Sequence, residues 1–134
     1  MKNKSTISSW VLQIPVAIVL GASALAKLSG RDAPVMIFES LGMEPTGRYL
    51  IGGLELIAAL LLLIPFSVAW GAILVWGLMT GAIIAHATHL GASGPMLPMT
   101  IAAAFNWIAS TAIIFLRHRQ IEFVRQMFSC DTDA

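Results

Sequence analysis

Four long apolar stretches alternate with short polar ones along this chain, roughly Trp10 to Ala26, Tyr49 to Ile64, Val68 to His86 and Met96 to Leu116. Each is close to the ~20 residues that an α-helix needs to cross ~30 Å of hydrocarbon. The pattern predicts an all-α, integral membrane four-helix bundle, with transmembrane helices over about 10–28, 48–64, 67–89 and 96–117. Between the first two spans, Val35, Met36, Phe38 and Leu41 are interleaved with Glu39 and Ser40 over too few residues to cross. That segment, 33–43, predicts a short interfacial or re-entrant helix in the first outer loop.

The connections sharpen the topology. Ile64-Pro65-Phe66-Ser67 is long enough only for a tight hairpin, with Pro65 stopping one helix and Ser67 able to cap the next, so the second and third helices are antiparallel neighbours. His89 to Pro98 holds Gly91, Gly94, Pro95 and Pro98 and predicts an outer turn, with proline in the first turn of the fourth helix. Small residues mark the faces that pack: Gly52 and Ala59 beside Glu55, Ala102, Ala103 and Ser110 beside Asn106, and a stripe of Gly77, Gly81 and Ala85. The stripe is expected to serve packing within the bundle, with a homodimer as the other use of such spacing.

Composition agrees with a membrane chain, since 57% of residues are hydrophobic, 11% are charged and the mean hydropathy is +0.83. The spans leave room for one domain, 1–134, with a polar tail over 118–134. A cleaved signal peptide is the rival account of the first span, because Lys2 and Lys4 precede an apolar run containing Ala24-Leu25-Ala26. Gln13 and Ser23 align with Lys27 on one helical face, a polar stripe that a discarded signal would not need, and this favours a retained helix.

Charge orients the bundle. Lys2, Lys4, Arg117, Arg119 and Arg125 flank the termini, whereas Lys27, Arg31 and Arg48 border the first loop, so both termini are expected in the cytoplasm. Trp10 and Trp70 would then sit at the inner interface and Tyr49 at the outer one. In the tail, Ile121, Phe123, Val124, Met127 and Phe128 are set among Arg119, Glu122 and Arg125. They suggest a short amphipathic helix that meets lipid phosphates or docks a soluble partner.

Glu55 is the only carboxylate inside the four apolar stretches. An ionised group at the bilayer centre costs about 2.5–3.5 kcal/mol on insertion scales, so it is expected to face the bundle interior and a partner. Lys27 ends the first span on the side nearest Glu55, Arg48 precedes it by two turns, and His86 and His89 close the third span at that same outer end. Asn106 lies at comparable depth in the fourth. The predicted polar, ligand-binding cluster is therefore Lys27, Arg48, Glu55, His86, His89 and Asn106, with no catalytic residue and no metal site assigned.

The order of features resembles the DoxX and DoxX-like family of small bacterial membrane proteins with four transmembrane helices. The matching residues are Gly21 to Leu28, Phe38-x-x-Leu41-Gly42, Gly52-Gly53-Leu54-Glu55-Leu56 with Leu60 to Pro65, Gly71-Ala72, and Met79-x-Gly81-Ala82 through His86, within about residues 12–116. The resemblance implies a multi-pass protein of the bacterial cytoplasmic (inner) membrane. It also implies a membrane partner of redox enzymes, with quinone as the cofactor or ligand that the likeness suggests.

Several chemistries are excluded. Thiol redox work needs paired cysteines and the chain holds only Cys130, in the tail, where a reduced and inert thiol is expected. Nothing matches a nucleotide-binding loop, a nucleophile elbow or a nucleic-acid patch. Three functions stay open. Glu55 and its partners can form the floor of a pocket for the head of a quinone-like or lipid molecule, they can be a structural lock without ligand, or they can serve proton-coupled transport of small molecules. An autonomous enzyme is not expected, although a membrane subunit of a quinone-linked oxidoreductase fits the same residues.

Overall fold

The computed structural model describes residues 2–130, and the side chains of all of these except Lys2, Asn3, Ser5, Gln120, Phe123, Val124, Phe128 and Cys130. Five helices account for most of them: α1 (Lys2–Leu28), α2 (Asp32–Ser40), α3 (Thr46–Leu63), α4 (Val68–Ala85) and α5 (Leu97–Cys130). Four segments are long and apolar enough to cross a membrane: Thr6–Leu28, Thr46–Leu63, Val68–Leu90 and Gly94–Arg119. The described chain is thus a four-helix membrane bundle, and an even number of crossings returns both ends to one side.

α1 packs against α3 and α5, and α4 against the same two helices, so the four spans close into a ring. The core joins all of them, with Val16, Ala17 and Leu20 of α1, Ala58, Ala59 and Leu62 of α3, Val68, Ala72, Val75 and Met79 of α4, and Ala103, Ala109 and Ile113 of α5. Six of these thirteen are alanine. Lipid tails are as apolar as leucine, so helices in a bilayer gain more from close backbone approach than from burying bulk. Gly71 shows the consequence at the α3–α4 hairpin, where a Cβ would lie 2.9 Å from Leu61 Cβ and 3.0 Å from the backbone nitrogen of Leu62.

The hairpin forms as expected, but Ser67 works on the other helix. It makes no side-chain cap to α4. Its Oγ donates to the carbonyls of Leu61 at 2.9 Å and Ile64 at 3.3 Å, because the turn is short enough for the hydroxyl to reach back to the free carbonyls that end α3. α2 forms as the short helix of the first loop, between Gly30 (φ +72°) and Gly42 (φ +69°), where the left-handed turns that end α1 and α2 suit glycine. Phe38 buries its ring toward the bundle, whereas Met36, Glu39 and Ser40 stay exposed.

Two helices outrun their predicted ends. α1 starts at Lys2 rather than near 10, since Ser9 still points inward to a partner on α5. α5 continues past 117 to Cys130, because no glycine or proline follows Pro98 to stop it. At 1.5 Å per residue its 34 residues reach about 51 Å, well beyond the hydrocarbon thickness. The helix expected in the tail is the continuation of α5 beyond the Gly94–Arg119 span. The expected contributions of Phe123, Val124, Phe128 and Cys130, and of residues 131–134, lie outside the described residues.

Candidate functional site

Lys27 stands one turn after Ser23 on the last turn of α1, and Gly52 and Glu55 share one face of α3. A Cβ on Gly52 would lie 3.0 Å from Lys27 Cβ and 3.3 Å from Leu28 Cγ, so the glycine is what lets α1 come close enough for its lysine to reach α3. The ammonium donates to Glu55 Oε1 at 3.1 Å, to Glu55 Oε2 at 3.0 Å and to Ser23 Oγ at 2.5 Å. The pair is largely withdrawn from solvent, with side-chain exposures of 16% for Lys27 and 5% for Glu55. The intramembrane acid is thus neutralised by a neighbouring helix, in a bidentate contact.

Arg48 is buried too, yet it does not touch Glu55. Its Nε donates to both oxygens of Glu44 at 2.9 Å, Nη2 lies 2.8 Å from Glu44 Oε1, and Nη1 donates to the backbone carbonyl of Lys27. The guanidinium also covers the Tyr49 ring, 4.4 Å from its centroid. Glu44 lies four residues earlier, in the turn that leads into α3, and captures Arg48 first. The arginine therefore holds the main chain that carries Lys27 rather than joining the Glu55 cluster.

The two histidines part company. α4 ends in a π-helical turn, His86–Leu90, and this wider turn breaks the spacing that would stack residues three apart on one face. His86 is buried with Nδ1 3.1 Å from the carbonyl of Gly91, whereas His89 is exposed. Among the described residues no group of three or more histidine, cysteine or acidic side chains comes together.

A cavity of about 970 Å³ lies within the bundle, and Lys27, Glu55, His86 and Asn106 all contribute to its wall; Arg48 and His89 do not. Most of the lining is apolar, including Leu20, Leu74, Leu78 and Met79. α2, with Pro34, Ile37 and Phe38, and its C-cap residue Leu41 close one side. Asn106 is only 2% exposed and its Oδ1 has no hydrogen-bond partner among the described residues.

The glycine stripe of α4 belongs to this wall. Gly77 and Gly81 are exposed, line the cavity and have nothing within 4 Å of an added Cβ, so they do not serve the close packing within the bundle that was expected. They leave a length of wall made of backbone alone. Both lie near the middle of the Val68–Leu90 span.

A second buried polar group sits at the opposite end of the bundle. Gln13 donates to Ser9 Oγ, and Arg117 Nε donates to the same oxygen at 3.0 Å, with Ser9 and Gln13 fully buried. In the sequence Arg117 counts only as a flanking charge. The i,i+4 spacing of Ser9 and Gln13 in the N-terminal half of α1 is the signal that marks them as a facing pair.

Comparison with known proteins gives one match: a model described as the DoxX-like family covers residues 11–115. No curated protein and no solved structure matches the chain.

Proposed function

This chain belongs to the DoxX-like family, and from that premise we propose that it is a membrane protein whose cavity binds the polar head of an amphipathic small molecule, quinone-like or lipid. The observation that carries the proposal is a cavity of about 970 Å³, apolar in most of its wall, with an ion pair and a buried amide in its lining. That combination suits a ligand with a hydrocarbon body and a few fixed polar contacts. The backbone wall at Gly77 and Gly81 supports entry from the bilayer, where such a molecule is concentrated.

Lipids and quinones that copurify with the protein, identified by mass spectrometry, test this. Gly81→Leu places a branched side chain into the open space and is expected to deplete one retained species while the bundle still folds. The same retained set in both proteins would refute the pocket.

The charge distribution supports an inner-membrane protein with both termini cytoplasmic, which a C-terminal alkaline phosphatase or green fluorescent protein fusion reports directly. α5 beyond Arg117 then enters the cytoplasm and is the segment available to a redox partner. Removing residues 120–134 is expected to release a copurifying partner while leaving cavity ligands in place, and an unchanged partner set refutes this role. Transport of lipophilic cations is the weaker alternative, because a cationic substrate would have to displace Lys27 from a bidentate contact with Glu55.

A further inference from the structure

Beyond the existence of a pocket, its polar lining has a hydrogen-bonding character that the side-chain pairing decides. An ammonium has three N–H donors, and those of Lys27 are met by three oxygens, two from Glu55 and one from Ser23. The donors of Arg48 are turned to Glu44 and to the Lys27 carbonyl, away from the cavity wall. His86 Nδ1 faces the carbonyl of Gly91, which can only accept. Nδ1 therefore donates in this contact, and a tautomer with its one proton there keeps a lone pair on Nε2.

What remains unfilled is mainly acceptor. Asn106 Oδ1 is buried without a partner, each Glu55 oxygen keeps lone-pair capacity beyond its contact with Lys27, and His86 adds Nε2. The donors left here are the Asn106 amide nitrogen and the hydroxyl hydrogen of Ser23, whose oxygen accepts from Lys27, and turning the Asn106 amide about its Cβ–Cγ bond exchanges its two ends without adding another. Arg31 also lines the cavity, but it is exposed at the loop between α1 and α2, away from the buried end.

We propose, on the strength of the pocket reading above, that the buried end of this cavity selects a head group bearing a hydroxyl over one of the same shape that only accepts hydrogen bonds. A hydroxyl donates to the Asn106 oxygen, Glu55 or His86 and accepts from the Asn106 amide. A ketone, ester or ether can accept from the Asn106 amide or the Ser23 hydroxyl but leaves the buried Asn106 oxygen without a donor. A buried acceptor left without a donor is costly, and a ligand that supplies the donor recovers that cost.

The test uses geranylgeraniol and its methyl ether, which share one chain and differ in a single donor, titrated into the full-length protein in nanodiscs. Wild type is expected to bind the alcohol about tenfold tighter than the ether, the effect of one well-made hydrogen bond. Asn106→Leu is expected to keep ether binding, which shows that the bundle is intact, and to narrow the ratio to about threefold or less. Gly81→Leu is expected to lose both ligands, which separates the pocket from partition into the lipid. Equal affinity for alcohol and ether in wild type overturns the selectivity and leaves the pocket standing. An unchanged ratio in Asn106→Leu overturns the assignment to that amide. No saturable binding of either ligand to wild type refutes the pocket itself.

Discussion

Removing one member of the Lys27–Glu55 pair strands the other in a low-dielectric interior, and a double-mutant cycle measures the consequence. At 3.0 Å and an effective dielectric constant of about 20, the attraction is about 5–6 kcal/mol before desolvation is counted. Breaking a buried pair from one side typically costs about 3–5 kcal/mol, because an uncompensated charge remains. Lys27→Met and Glu55→Met are each expected to lose about that much stability. The double variant replaces both charges with unbranched apolar chains and is expected to lose no more than about 1–2 kcal/mol, since an apolar pair of similar volume serves nearly as well. Without coupling, the double variant would lose about 6–10 kcal/mol, so the two outcomes are well separated. The readout is reversible unfolding in mixed micelles, followed by tryptophan fluorescence from the stacked Trp76 and Trp107, whose centroids are 6.1 Å apart. Additive losses would refute the pairing, and with it the account of how this chain tolerates an intramembrane acid.

Other variants separate packing from cavity. Gly71→Ala drives a methyl toward the backbone of the α3–α4 hairpin and is expected to cost about 1–3 kcal/mol in the same unfolding assay. Gly77→Ala meets open space and is expected to be neutral, or stabilising by up to about 1 kcal/mol through lower chain entropy in the unfolded state. Arg48→Met removes a buried guanidinium from Glu44 and from the Lys27 carbonyl; a loss of about 2–4 kcal/mol is expected, partly recovered when Glu44→Gln is added. Ser9→Ala takes away the oxygen shared by Gln13 and Arg117 and is expected to cost about 1–3 kcal/mol without changing ligand binding at the other end, which calorimetry and unfolding together check.

The apolar runs, the Pro65 hairpin and the lone acid in the second span made the bundle and the need for a partner to Glu55 legible before any coordinates. Hydrophobic length and the cost of a charge in lipid act locally along the chain, so a linear pattern records them. Lys27 was legible as a partner for the same reason, since it ends a span at matching depth. Arg48 and His89 show where the linear pattern stops. Depth placed both near Glu55, but Glu44 in the turn before α3 claimed one, and a π-helical turn rotated the other outward. The Gly77 and Gly81 spacing is compatible with tight packing or with an open wall, and only the neighbours, or their absence, distinguish the two.

Residue order alone thus settled the number of crossings, the family likeness and which acid needed a counter-charge, because each follows from how a segment partitions between water and hydrocarbon. The bundle settled the rest: which cation reaches Glu55, that Gly77 and Gly81 of α4 line a cavity instead of a close helix contact, that Arg117 meets α1, and that the Asn106 oxygen is left without a donor. Those outcomes depend on the rotation and approach of whole helices against one another. Hydrogen bonds act over about 3 Å, so small differences in that approach decide which groups pair and which are left for a ligand.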